Sequence, residues 1–125
     1  MRFTSESLPL DFDHIFYLWS YQKSHSKLTL RGRPGEQYTD FVDLVFSNVL
    51  AMKTVPVYPR LSVVEKGIDG EIDAFLEIPE RHADKFMKLR ISDGVHDGFV
   101  VCQGLYVHRG SGWHGQETGS GSATG

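Results

Sequence analysis

A chain of 125 residues, 40% hydrophobic and 23% charged, has the size and composition of one globular domain with a modest core. Its net charge of −3 gives no long-range attraction to phosphate backbones or anionic lipid, which argues against general nucleic-acid or membrane-surface binding. No window approaches the roughly 18 apolar residues that a membrane-spanning helix needs. The opening residues 1–6 lack the charged-then-apolar order of a secretion signal, so a cytoplasmic location is expected.

Residues 1–10 show no period. From Phe12 to Tyr21 aromatic and β-branched types dominate, which favours a strand over a helix. Simple alternation puts Ile15, Tyr17, Trp19 and Tyr21 on one face and Phe16 and Leu18 on the other. Both faces are apolar, so the strand is expected to be central or covered on both sides. Residues 22–26 are polar and turn-like. Leu28 and Leu30 then alternate with Lys27, Thr29 and Arg31, the pattern of a half-buried strand.

Gly32-Arg33-Pro34-Gly35-Glu36 reads as a loop. Val42, Leu44 and Phe46 mark a third strand that should pair with the second, and Val49 to Met52 extends it past a bulge or bend. Val55 to Pro59 is an extended connector, because proline donates no ladder hydrogen bond. Leu61 to Glu65 is a short strand, and Gly67 to Gly70 a turn.

Ile72, Ala74, Leu76 and Ile78 alternate with Glu71, Asp73 and Glu77, which predicts another strand. A helical turn is predicted over 80–84, a strand over 85–92, and a turn at Asp93 to Gly98. The last strand should run from Phe99 to Val107, with Gly104 as a bulge. Residues 109–125 hold six of the thirteen glycines, at 110, 112, 115, 119, 121 and 125, and almost no apolar side chain. That composition predicts a flexible tail behind a domain spanning 8–108. The fold class is all-β: a single-domain antiparallel sandwich or partly closed barrel with little helix.

The chemistry-bearing residues concentrate in Trp19-x-Tyr21-x-x-Ser24-His25-x-x-Leu28-x-Leu30-Arg31. Trp and Tyr can anchor a partner, His titrates near neutrality and Arg can clamp an anion. Trp19, Tyr21, Ser24, His25 and Arg31 therefore form a candidate binding surface. The competing structural reading has Ser24 and His25 bonding turn backbone while Trp19 and Tyr21 fill the core. Catalysis is not expected there, because adjacent Ser24 and His25 would point to opposite faces of a strand. No nucleophile elbow or phosphate loop occurs. Glu71, Asp73 and Glu77 would share a strand face, either as a solvated face or as an acidic patch for a basic partner.

The six histidines show no zinc spacing, and no metal or other cofactor is expected; Asp93, His96 and Asp97 read as a solvated hairpin loop. The single cysteine, Cys102, lies among Val100, Val101 and Leu105 and should be a buried, inert thiol.

The Trp-x-Tyr, Ser-His and Leu-x-Leu-Arg elements, with Val42-Asp43-Leu44-Val45-Phe46 and Phe99-Val100-Val101, resemble those of small bacterial β-rich proteins over about residues 15–107. Some of those are similar to immunity proteins of bacterial toxin systems. The resemblance implies a protein-binding module that neutralises a toxin by binding rather than by catalysis. The alternatives are a small-molecule or anion-binding β-barrel with His25 and Arg31 in its mouth, and a hydrolase.

Overall fold

The computed structural model describes residues 2–33, 40–65, 70–75 and 78–111. In chain order the strands are β1 (Phe3–Thr4), β2 (Leu10–Phe12), β3 (Phe16–Gln22), β4 (Lys27–Gly32), β5 (Asp40–Ser47), β6 (Ala51–Lys53), β7 (Val57–Tyr58) and β8 (Leu61–Glu65). A short helix, α1 (Gly70–Phe75), precedes β9 (Met87–Ser92), β10 (Asp97–Cys102) and β11 (Gly104–Ser111). Short 3-10 helices occupy Lys23–His25 and Glu80–Lys85.

The strands form two open sheets, ordered β1-β11-β5-β4-β3-β7 and β2-β8-β9-β10-β6. The result is an all-β sandwich and not a closed barrel. Leu28, Leu30, Val42, Leu44, Phe46 and Leu105 line the inner face of the six-stranded sheet. Val63, Met87, Leu89, Ile91, Val100 and Cys102 meet them from the five-stranded sheet. The two-residue period of β4, β5 and β9 has the cause expected of it: every second side chain leaves water for this shared core.

Two chain segments switch sheets side by side. After β5 the chain turns at Asn48, in the left-handed region at φ 50°, and enters β6 of the other sheet. After β10 it turns at Gln103 and enters β11. The bends are bonded to each other: the Gln103 amide donates to the Ser47 carbonyl (3.1 Å), and Asn48 Nδ2 to Gln103 Oε1 (2.9 Å). The predicted strand over 99–107 is thus two strands, and Gly104 marks a change of sheet rather than a bulge. Continuation past Val49 does occur, but in the second sheet.

Two further expectations change. The doubly covered strand is β10 and not β3. Val100 and Cys102 face the core between the sheets, while Phe99 and Val101 pack with Ile72, Ala51, Ile78 and Phe86 on the other side. Residues 70–75 form a helix where the alternation at 72–78 predicted a strand. Ile72 is buried by it against Phe99 and Val101, whereas Ala74 is exposed, so the two residues assigned to one strand face have opposite environments.

Pairing also extends past the predicted 8–108 boundaries. Phe3 and Thr4 pair with Gly104 and Leu105, and Arg109 to Ser111 pair with Val42 to Asp40. The expected tail beyond Ser111, the turn at 67–69 and most of the loop at 32–36 lie outside the described residues.

Candidate functional site

The five-stranded sheet has α1 and the turn preceding β9 on its outer side; among the described residues, no element covers the outer face of the six-stranded sheet. Its composition follows from register, because directly opposed residues in antiparallel strands share a face. Arg31 pairs with Tyr17 and Asp43, and Asp43 with His108. Thr29 pairs with Ser20 and Val45, and Val45 with Tyr106. The intervening Leu28, Leu30, Leu44, Phe46 and Leu105 are buried, so these rows point outward.

A bulge reshapes β3. Its register with β4 shifts between Leu18 and Ser20, leaving Trp19 without a cross-strand partner. A bulge breaks the alternation of faces by one residue. Tyr17 therefore lies with Arg31 on the outer face, while Tyr21 lies opposite the core residue Leu28 at the inner rim. Trp19 and Tyr21 do not share a face, contrary to the simple alternation. They are 48% and 41% exposed, so neither fills the core.

Trp19 instead covers Arg31, whose guanidinium carbon stands 4.3 Å from its ring centre. Asp43 on the adjoining strand fixes that guanidinium: Arg31 Nε donates to Oδ1 at 3.1 Å and Nη2 to Oδ2 at 3.2 Å. The Arg31 and Asp43 side chains are only 20% and 14% exposed, so this fork is partly desolvated and stronger than a surface ion pair. Arg33 approaches the same indole, at 5.8 Å. The sequence marked Trp19 and Arg31 as residue types suited to binding; Asp43, which holds the Arg31 guanidinium, lay hidden in an ordinary alternating strand. Phe3 and Tyr106, with ring centres 5.2 Å apart, form a second exposed aromatic pair beside β11. Only the pairing of β1 with β11 could have found it.

Ser24 and His25 belong elsewhere. They sit exposed in the 3-10 turn at the tip of the β3–β4 hairpin. Lys27 to Arg31 alone spans about 13 Å of strand, so the tip is separate from the Trp19–Arg31 cluster. The tip is anchored by backbone: Ser26, at φ 48°, donates to Lys23 O (3.3 Å) and accepts from the Val49 amide (2.9 Å). The strand predicted to carry Glu71, Asp73 and Glu77 on one face is replaced over residues 70–75 by α1. Glu71 and Asp73 belong to α1, and Glu77 lies outside the described residues.

The other expected features have plain local accounts. Asp93 closes its hairpin turn by accepting from the amides of Val95 (2.8 Å) and His96 (2.6 Å), with the His96 ring at 3.1 Å. The His96 amide, helped by its ring and by the Val95 amide, outweighs desolvation and pulls the Asp93 carboxyl down to about 2. No group of three or more potential metal ligands occurs among the described residues. Cys102 is fully buried, and burial pushes its thiol up to about 12. His25 and Arg31 line no barrel mouth, since the sheets do not close. One apolar cavity of ≈ 430 Å³ lies instead between Leu50, Ile78, Phe86 and the cationic Lys85.

Compared with protein-family models, with curated proteins and with solved structures, the chain matches none. No helix of the described residues is long and apolar enough to cross a membrane.

Proposed function

We propose that this chain is a protein-binding module whose docking surface centres on Trp19, Arg31 and Asp43. The observation that carries the reading is an indole 48% exposed yet already stacked on a guanidinium that Asp43 holds. Trp and Arg dominate interface hot spots, and side chains ordered before binding lose less entropy on docking. The specific form of this reading, from the resemblance above, is neutralisation of a bacterial toxin by capping its surface. Such inhibition needs a rigid, complementary face and no catalytic group.

The test places a photo-crosslinking residue at Ser20, exposed beside an intact Trp19, and identifies the partner captured in cells of the source organism. The captured partner should then bind Trp19→Ala or Arg31→Ala at least about tenfold more weakly than the wild type, a typical hot-spot loss. For the toxin form, co-expression should protect cells from that partner, and Trp19→Ala should not. A partner that crosslinks only elsewhere and binds both variants normally would refute the reading.

A second reading, binding of a small apolar ligand, is supported by the cavity beside Leu50, Ile78 and Phe86. It predicts that an environment-sensitive apolar dye binds the wild type and is excluded by a cavity-filling Ile78→Trp change. This site replaces the barrel mouth expected around His25 and Arg31.

A further inference from the structure

The second half of β3 is exposed on both faces. Phe16 is buried and Tyr17 half-buried, but every residue from Leu18 to Gln22 is exposed. On the side away from β4, the two-residue β7 pairs only with Phe16 and Tyr17, and the Leu18 amide makes one further bond, to Pro56 O (2.8 Å). Beyond Leu18, no strand among the described residues takes up that edge. Exposed apolar side chains gather along it: Ile15, Leu18, Trp19, Tyr21 and Val57, against Phe3, Leu50, Val95 and Tyr106 over the rest of the described surface. Open edges invite strand addition, and proteins ordinarily blunt them with charge or cover.

Charge selects the occupant. Residues 16–33 contain Lys23, Lys27, Arg31 and Arg33 and no Asp or Glu, in a chain whose net charge is −3. Asp43 takes up the Arg31 guanidinium, while Lys23 follows the open edge directly and Lys27 stands opposite Gln22, both exposed. We infer that the edge of β3 from Trp19 to Gln22 docks an extended, acidic polypeptide segment of the partner, which adds to the six-stranded sheet as a short further strand. The inference deepens the protein-binding reading and rests on it.

Main-chain hydrogen bonds from the open edge supply affinity, and alternate side chains of the incoming segment meet Leu18, Trp19 and Tyr21. The bulge at Trp19 interrupts a regular ladder, so the added strand is short and these side chains supply the rest of the recognition. A second copy of the chain is disfavoured, because edge-to-edge pairing would set this cationic hairpin against itself. A single-stranded nucleic acid could stack on Trp19 and Tyr21, but it would leave the open backbone donors and acceptors unused.

The probes are two short peptides, one alternating glutamate with valine and the other lysine with valine, and a single-stranded oligothymidine. Binding is read by titration, and the site by amide hydrogen exchange of the full chain. The acidic peptide should bind at least about tenfold more tightly than the lysine peptide and slow exchange at Trp19 to Gln22, and a proline at its centre should remove the protection. Lys23→Glu with Lys27→Glu, both at exposed positions and checked for an unchanged melting temperature, should reverse the preference between peptides. Equal binding of the two peptides, protection confined to other strands, tighter binding of the oligothymidine, or dimerisation through β3 would each overturn the inference. Its failure is separable from that of the parent reading. A partner captured at position 20 without protection of the edge amides removes only the strand addition. Absence of any partner crosslink at position 20, with Trp19 intact, removes the reading beneath it.

Discussion

Arg31 and His25 sit in one sequence motif but in different physical situations. Arg31 is partly buried, forked onto Asp43 and capped by Trp19, whereas His25 is exposed at a hairpin tip. Removing the guanidinium leaves a partly desolvated carboxylate without its fork. Arg31→Ala should therefore cost about 1–2 kcal/mol in urea unfolding, while His25→Ala should stay within about 0.5 kcal/mol. Equal effects would show that the fork contributes nothing to stability. Cys102 should resist thiol reagents in the native state and react only on unfolding, since its thiol is buried and pushed up to about 12. Rapid native labelling would contradict its place in the core. Asp93 makes a pH prediction. Its folded carboxyl is held down to about 2 from an ordinary 3.8, so the unfolded chain binds the proton more readily. The stability it contributes is complete above about pH 4 and is lost as pH falls towards 2. Asp93→Asn should flatten that part of an acid-unfolding curve while leaving the rest, including the Glu6 contribution, in place. An unchanged curve would mean the turn opens before the carboxyl titrates.

The strands explain where a binding surface can be. β4 and β5 bury one face and commit the other to solvent, so Arg31, Asp43 and Thr29 can only look outward. The bulge in β3 then sends Trp19 over Arg31 and turns Tyr21 to the opposite rim. Close approach between strands imposes a different constraint at Gly98, in β10. A Cβ there would strike the Lys53 carbonyl and come within 3.0 Å of the Tyr58 hydroxyl. The Tyr58 side chain is fully buried, and its hydroxyl already bonds Thr54 (3.3 Å) and the Val55 amide (3.2 Å), so it has little room to yield. Gly98→Ala should destabilise by about 2–3 kcal/mol in chemical denaturation, the range of an overpacked core. A change below about 0.5 kcal/mol would show that β6 can move away at little cost.

For the whole molecule, the end of β11 helps to close the sandwich. Arg109 forks onto Glu6 at 2.9 and 2.8 Å, and its guanidinium stands 5.4 Å from the Phe12 ring of the other sheet. The pair lowers the Glu6 carboxyl and raises Arg109, chiefly through their shared hydrogen bonds. The ion pair itself is exposed enough to contribute little. The greater loss on truncating after His108 is the strand pairing of residues 109–111 with Asp40 to Val42. That truncation should lower the melting temperature by more than about 5 °C, the shift expected from roughly 1 kcal/mol in a domain of this size. A chain ending at His108 that melts normally would show this pairing to be dispensable.

Several features were legible in the amino-acid order alone. Apolar residues at every second position in β4, β5 and β9 leave one way to bury them, and the Asp93 hairpin and buried Cys102 are likewise local consequences of their neighbours. The aromatic and cationic types of the candidate surface could also be read directly. What alternation specifies, however, is a side chain's side relative to its own strand; it does not name the strand's partner or its register. A bulge of one residue at Trp19 inverts that parity without a mark in the sequence, which is why Trp19 and Tyr21 part company. Residues 70–75 are too few to separate a two-residue period from a helical one, and burial of Ile72 against Phe99 and Val101 decided for the helix. The sheet change at Gln103, the fork from Asp43 to Arg31 and the open edge of β3 depend on contacts between segments far apart in the chain. Those contacts exist only once the two sheets have packed, so only the tertiary structure could decide them.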